Sequence, residues 1–305
     1  MIDTLTRRDF VKFGGSTLAA AAITGASATF VPAAPAKKRE LKKAIMYATI
    51  GFKGSVLEQF RAVKAAGFEG VEPMSHMKQD EVVKALEETG LKAASVCCNT
   101  HWGKPLSHPD AKVRREAREG VQRALEDAKR YGATSVLVVP GRVIKDKNPV
   151  TYDECFKRSV AEIKQLVPVA KETGVKIAIE NVWNDFITES KQAIDYLDAV
   201  DSPLVGWHFD IGNAVKYSPP ETWVPVLGKR ILKLHIKEFS KKKDIAQRGF
   251  GVHLLEGDNN WPAIMKALDD VGYQGWGISE QPGDQAKDAA ALKDLSERMD
   301  KVFAS

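Results

Sequence analysis

Eight times along this chain a short run of β-branched or apolar residues gives way to a longer amphipathic run, and that alternation limits the fold more than any other feature. The strand-like runs are Ala44–Ile50, Gly70–Pro73, Lys92–Cys98, Thr134–Pro140, Lys176–Glu180, Val205–Asp210, Ile231–Lys237 and Gly275–Glu280. Helical spacing predicts Val56–Ala66, Gln79–Thr89, Asp110–Tyr131, Tyr152–Thr173, Glu189–Ala199, Glu221–Leu227 and Trp261–Val271 between them, with Asp284–Phe303 last. Gly67, Gly90, Gly132, Gly174 and Gly272 close helices, where a residue without Cβ takes the left-handed turn at no steric cost. A chain that crosses over through a helix re-enters its sheet in the same direction, so the sheet should be parallel. Eight such units in about 260 residues predict a (β/α)8 TIM barrel. An open doubly wound sheet competes, but no Gly-rich dinucleotide loop follows the first strand.

On a barrel of this kind the reactive residues stand at the carboxyl ends of the strands. Within Val205–Asp210, alternation places His208 and Asp210 on one face and Trp207 and Phe209 on the other. An acid and an imidazole on the inner face suit a metal ligand better than a core. Other strands end on Glu180, His235 and Glu280, so four oxygen or imidazole donors, and no thiolate, share one rim. Such a donor set suits a divalent ion: Mn²⁺ first, with Mg²⁺, Co²⁺ or Zn²⁺ as alternatives. Any single acid at a strand end is more often a helix cap or a salt-bridge partner. Glu72, after the second strand, is a candidate acceptor for a substrate hydroxyl, and Lys237, on the face of His235, a candidate partner for a developing oxyanion. His208, one layer below Asp210, is expected as a hydrogen-bonded interior residue.

The N-terminus carries Arg7-Arg8-Asp9-Phe10, then a mild apolar stretch from Gly14 to Val31 and Ala34-Pro35-Ala36. We expect residues 1–36 to be a cleaved twin-arginine (Tat) export signal, with the Tat machinery as a partner and a periplasmic or secreted product. The stretch is rich in Ala, Gly, Ser and Thr and shorter than the ~20 apolar residues of a spanning helix, so no stable membrane insertion is expected after cleavage. Residues 37–305 then form one catalytic domain, because no Pro/Gly/Ser-rich linker divides them. The formal charge of +5 is spread through a chain in which 28% of residues are charged, without the basic stripe of a nucleic-acid binder. Cys97, Cys98 and Cys155 are an odd count with adjacent members, so no disulfide framework is expected. A homo-oligomer is compatible with the sequence, but no residue argues for it.

The segments Ile179-Glu180-Asn181, Phe209-Asp210-Ile211-Gly212-Asn213, Leu234-His235-Ile236-Lys237-Glu238 and Ile278-Ser279-Glu280 resemble the metal-ligand motifs of the sugar phosphate isomerase/epimerase, or xylose isomerase-like, TIM-barrel superfamily. Their order, with 30, 25 and 45 residues between successive candidate ligands, carries the resemblance across Ala44–Phe303. Glu256-Gly257-Asp258, Trp261 and Gly272-Tyr273-Gln274-Gly275 are similar to the segment that separates the last two ligands in that superfamily. The resemblance implies that Glu180, Asp210, His235 and Glu280 hold one divalent ion and that Glu180 and Glu280 are also the acid/base pair. It makes His101, with Trp102, a contact to a small-molecule sugar. Some ketose 3-epimerases of the superfamily have a His three residues after the Asp ligand and an Arg six after the His ligand. Asn213 and Lys241 stand there in this chain, so the family's His and Arg contacts to a simple free ketose do not carry over, and Asn213 is kept only as a candidate substrate-binding residue.

The expected activity is that of a metal-dependent isomerase or epimerase, abstracting a proton next to the carbonyl of a keto-sugar or related polyol. The same abstraction with a leaving group on the β carbon would give a lyase or hydrolase of 3-keto-glycosides. A non-catalytic sugar-binding barrel is the third class. The apurinic-endonuclease branch, which needs a three-metal cluster, is disfavoured: Asn213 occupies one of its His positions, no Asp-x-His follows His235, and the chain holds six His in all.

Overall fold

The computed structural model describes residues 39–146, 149–243 and 248–305, and within them every strand pairing in the sheet is parallel. The strands are β1 (Leu41–Met46), β2 (Gly70–Glu72), β3 (Lys92–Ala93), β4 (Val96–Cys97), β5 (Ser135–Val138), β6 (Lys176–Glu180), β7 (Val205–Asp210), β8 (Ile231–Ile236) and β9 (Gly275–Ser279). Their order is β3-β2-β1-β9-β8-β7-β6-β5-β4. The two end members, β3 and β4, are separated in sequence by Ala94 and Ser95 alone, so the sheet returns on itself as a TIM barrel. The expected third strand, Lys92–Cys98, is thus one extended segment that β2 meets along its first half and β5 along its second.

Helices α1 (Val56–Ala65), α2 (Gln79–Thr89), α3 (Ala111–Tyr131), α4 (Tyr152–Thr173), α5 (Ser190–Val200), α6 (Ile211–Val215), α7 (Trp223–Leu227), α8 (Trp261–Asp270) and α9 (Ala289–Ala304) alternate with the strands. Caps fix several boundaries. Ser55 with Glu58, and Thr151 with Glu154, form reciprocal capping boxes at α1 and α4. Gly90, Gly132 and Gly174 end α2, α3 and α4 with φ near +70°.

The last helix begins at Ala289, after a separate 3-10 turn over Gly283–Ala286, and other expectations shift as well. The first strand begins at Leu41 rather than Ala44, because Leu41–Lys43 pair with Gly275–Gly277, and Tyr47–Thr49 turn into a 3-10 helix where β2 no longer runs alongside. The unforeseen α6 starts directly after β7, its amide at Asn213 donating to Asp210 Oδ1 at 2.7 Å.

Alternation along each strand sorts the side chains. Ile177, Ile179, Trp207, Phe209, Leu234 and Ile236 face the helices in the large outer core, where each large buried side chain contributes roughly 1.5–3 kcal/mol. Inside the barrel a smaller cluster of Ala44, Met46, Ala94, Cys97, Leu137, Val139, Val182 and Ile278 packs together. Polar side chains fill the remaining interior: Glu72, His208, Asp210, Lys233 and His235, all buried. Residues 1–36, the expected export signal, lie outside the described residues. Among the described residues, no helix is long and apolar enough to cross a membrane.

Candidate metal centre

Strands β6 and β7 end on the inward residues Glu180 and Asp210, His235 is the last inward residue of β8, and Glu280 follows directly on β9, so the four meet at one rim. One ligand atom from each lies within 4.8 Å of all the others. His235 Nδ1 is the hub: 2.9 Å from Glu180 Oε1, 3.3 Å from Glu280 Oε2 and 3.8 Å from Asp210 Oδ2. Asp210 and His235 are wholly buried, whereas the Glu280 side chain keeps 21% of its surface open. Lys237 Nζ closes the rim, 2.8 Å from Glu280 Oε2 and 3.5 Å from Asp210 Oδ2.

Asn181, which sequence reading did not single out, holds the frame. Its side chain donates to the Asp210 carbonyl at 2.8 Å and accepts from the Asp210 amide at 3.0 Å and from Trp207 Nε1 at 3.1 Å, locking the end of β6 to that of β7. Gly212 permits a further approach, since a Cβ there would stand 2.7 Å from the Lys237 carbonyl oxygen.

The electrostatics are uneven. Burial pushes Glu180 up to about 8, against the pull of His235. Burial also raises Asp210, with Lys237 opposing. Burial acts on Glu280 too, but Lys237 and His235 outweigh it and hold that carboxyl well below its usual range. His235 is disfavoured as a cation by burial, yet Glu280 and Glu72 hold its pKa well above the ordinary value. A cluster that draws protons onto an imidazole and a glutamate carries excess negative charge. Three carboxylates face one ammonium, and a divalent ion offsets the remainder while displacing those protons. Asp210 Oδ2, buried and without a hydrogen-bond partner, is an orphaned acceptor at the same spot. The residues present therefore fit a divalent ion held by three carboxylates and Nδ1.

Above the four lies a cavity of about 270 Å³, lined by Glu180, Glu280, Lys237, Asn213, His101, Trp102 and Trp183 among others. His101 and Asn213 are buried and Trp102 is 53% exposed at the mouth. Asn213 Oδ1 lies 3.5 Å from Lys237 Nζ. Trp183, Phe239 and Phe250 form an aromatic wall, with Trp183 and Phe250 ring centres 4.6 Å apart. Phe250 and Cys97 line the cavity without having been expected there. Glu72 departs from expectation: its carboxylate is fully buried beneath the rim, with Oε2 3.0 Å from His235 Nε2, and it does not line the cavity. His208 is interior as expected but without the expected hydrogen bonds, neither ring nitrogen having a partner. The cleft between Leu91, Lys92 and Arg130 lies beside the start of β3, away from this rim.

A family profile described as "Xylose isomerase-like TIM barrel" matches residues 60–302. The L-ribulose-5-phosphate 3-epimerase UlaE of Escherichia coli (strain SE11) is 25% identical over 250 residues, covering 77% of this chain and 85% of the relative. Solved structures share the fold: 3-keto-D-glucoside 4-epimerase YcjR from E. coli has a TM-score of 0.73 at 18% identity, over 87% of this chain and 100% of that one. D-psicose 3-epimerase in the presence of D-fructose gives 0.72 at 17% identity, over 87% and 100%. The IolI protein with a bound zinc atom gives 0.74 at 18% identity, over 87% and 98%.

Proposed function

The chain belongs to the xylose isomerase-like TIM-barrel family, and from that premise we propose that it is a divalent-metal-dependent epimerase or isomerase of a keto-sugar or related polyol ketone. The observation that carries this reading is the pair Glu180 and Glu280, two carboxylates that flank one imidazole nitrogen under a single cavity. Without an ion, Lys237 and His235 hold Glu280 ionised while burial raises Glu180; with the ion bound both are carboxylates, and either can take a proton from the substrate. A carbon next to a carbonyl is a weak acid, and a bound divalent ion would offset the negative charge that builds on the substrate oxygens as its proton leaves. One glutamate removes a proton on one side of that carbon, and the other, after drawing a proton from solvent, returns one on the opposite side, which inverts it. Lys237 keeps Glu280 ionised, and His101 and Asn213 offer polar atoms to substrate hydroxyls. Three of the named proteins, UlaE, YcjR and D-psicose 3-epimerase, are epimerases of sugars and support the substrate class. Among the described residues lining the cavity, Lys237 is the one ammonium, and it is engaged with Glu280 and Asp210, which favours an unphosphorylated substrate.

The aromatic wall of Trp183 and Phe250, with Trp102 at the mouth, favours a second reading, a lyase or hydrolase of 3-keto-glycosides, in which those rings stack on the sugar and its aglycone. Incubating the protein and Mn²⁺ with ketoses and 3-keto-glycosides in D₂O separates the two. Deuterium entering an α carbon without cleavage marks the epimerase, and aglycone release marks the lyase. Glu180→Gln and Glu280→Gln should each lose at least ~10²-fold in turnover, the usual contribution of a positioned base, while keeping an oxygen for the ion. Turnover within about threefold of wild type in both variants removes the two-glutamate mechanism.

A further inference from the structure

We propose that Glu72 is a positioning residue for the ion-binding imidazole: it takes the Nε2–H of His235 and so holds the ring with its Nδ1 lone pair turned to Glu180, Asp210 and Glu280. This rests on the proposed metal-dependent function. A neutral imidazole carries one N–H, and the nitrogen that bears it cannot bind a cation. Nδ1 lies within 3.8 Å of three carboxylates from three different strand ends. Nε2 has one hydrogen-bond partner among the described residues, Glu72 Oε2, at 3.0 Å. If the proton sat on Nδ1, the lone pair of Nε2 would face a buried carboxylate oxygen and the rim would lose its nitrogen donor. An acidic partner on the far nitrogen is the device by which proteins fix the tautomer of a ligating histidine and raise its basicity.

The burial of Glu72 leaves it little else to do. It is wholly inaccessible, it stands at the end of β2 with its side chain inside the barrel, and its Oε1 has no hydrogen-bond partner. His208 Nδ1 lies 4.0 Å from that oxygen, too far for a hydrogen bond. The His208 ring packs edge-on against His235 with centroids 4.1 Å apart, a wall that stops the ligating ring from turning.

Glu72, His208 and His235 could also be grouped as a second ion site, since their ligand atoms lie within 4.8 Å of one another. Two facts oppose this. His235 would have to surrender its last proton to serve ions on both nitrogens, and a single carboxylate would have to neutralise a dication in the field of the buried Lys233.

The test compares the full chain with Glu72→Leu, which removes the acceptor, and Glu72→Gln, which keeps a carbonyl oxygen. Zn²⁺ affinity is measured by chelator competition, and the ¹⁵N spectrum of His235 is recorded with Zn²⁺ bound. Loss of such a partner typically costs ~10- to 100-fold in metal affinity; E72L should show that loss with its thermal transition retained, and E72Q should recover to within about threefold of wild type. The wild-type spectrum should show the proton on Nε2. Equal Zn²⁺ binding by E72L overturns this inference alone, as does a proton on Nδ1 or a second ion per chain that E72L loses. Wild-type protein that binds no Zn²⁺ overturns the parent reading and this one together. If E72L does not fold, the wild-type tautomer decides: Nε2 supports the assignment and Nδ1 overturns it.

Discussion

His101 shows how one residue's surroundings settle its chemistry. Its Nδ1 accepts from the Val139 amide at 3.2 Å, so the ring proton belongs on Nε2, and a residue lining the cavity offers a donor. Burial lowers its pKa from 6.5 to about 4. The unfolded chain therefore binds a proton between those values while the folded chain does not. Stability contributed by neutral His101 is complete above pH 6.5 and falls away as the pH drops toward 4. The shift corresponds to about 3 kcal/mol. Urea unfolding of wild type and His101→Gln at pH 7 and pH 4 should show the wild type losing more by that amount, and equal losses would refute the assignment. Residues like Asp210 were legible because strand alternation alone fixes which face they occupy. Glu72 was misplaced because its position on β2 gives the face but not the depth, and depth made it a partner of His235 instead of a sugar. Phe250 had no signal at all. It sits between Gly249 and Gly251 in an aperiodic segment, and its packing on Trp183 and Phe239 exists in the folded chain alone.

At the level of elements, the strand and helix order could be read from periodicity, since a period of 2 and one of 3.6 rarely imitate each other over such lengths. Ends were less legible: the start of β1 is masked by Lys42 and Lys43, which are strand residues because β9 pairs with them. The segment after β8 shows what periodicity misses. It follows Glu238, a wholly buried carboxylate whose Oε2 accepts from the Leu255 amide at 2.9 Å and from Trp261 Nε1 at 2.8 Å. Oε1 accepts from the Asn259 amide at 3.2 Å and from the Phe239 amide at 3.3 Å. That one side chain ties both ends of the excursion to the start of α8, and Gly257 lies against it because a Cβ would stand 2.4 Å from Oε1. Glu238→Gln turns an NH₂ toward two N–H donors, leaving buried donors unsatisfied. The variant should lose about 2–4 kcal/mol in urea unfolding and weaken the wall that holds Phe250. A loss below about 0.5 kcal/mol, the ordinary surface range, would mean that the excursion is not held by this hub.

The whole molecule poses a question of route, because its thiols and its first residues bear on the same event. Cys97, Cys98 and Cys155 are free and buried. Burial pushes all three thiols up, Cys155 to about 12, so none forms a thiolate at neutral pH in the folded chain. An unfolded chain entering an oxidising compartment would expose them together and invite mispairing; a chain that folds first in a reducing cytoplasm keeps them sealed. A route that carries folded cargo fits these thiols, and Arg7-Arg8 ahead of a weak apolar stretch is the pattern expected of its signal. We therefore propose export by that route, with residues 37–305 as the mature catalytic domain. Replacing both arginines, Arg7→Lys with Arg8→Lys, should leave full-length precursor in the cytoplasm, while the wild-type mature chain is recovered outside with its N-terminus near Lys37. The exported protein should react with a thiol reagent at three sites once denatured, matching its three cysteines, and at none while folded. Mature double-lysine variant outside the cytoplasm would overturn the twin-arginine assignment. Fewer than three free thiols in the denatured export product would show that the chain crossed before its core had closed.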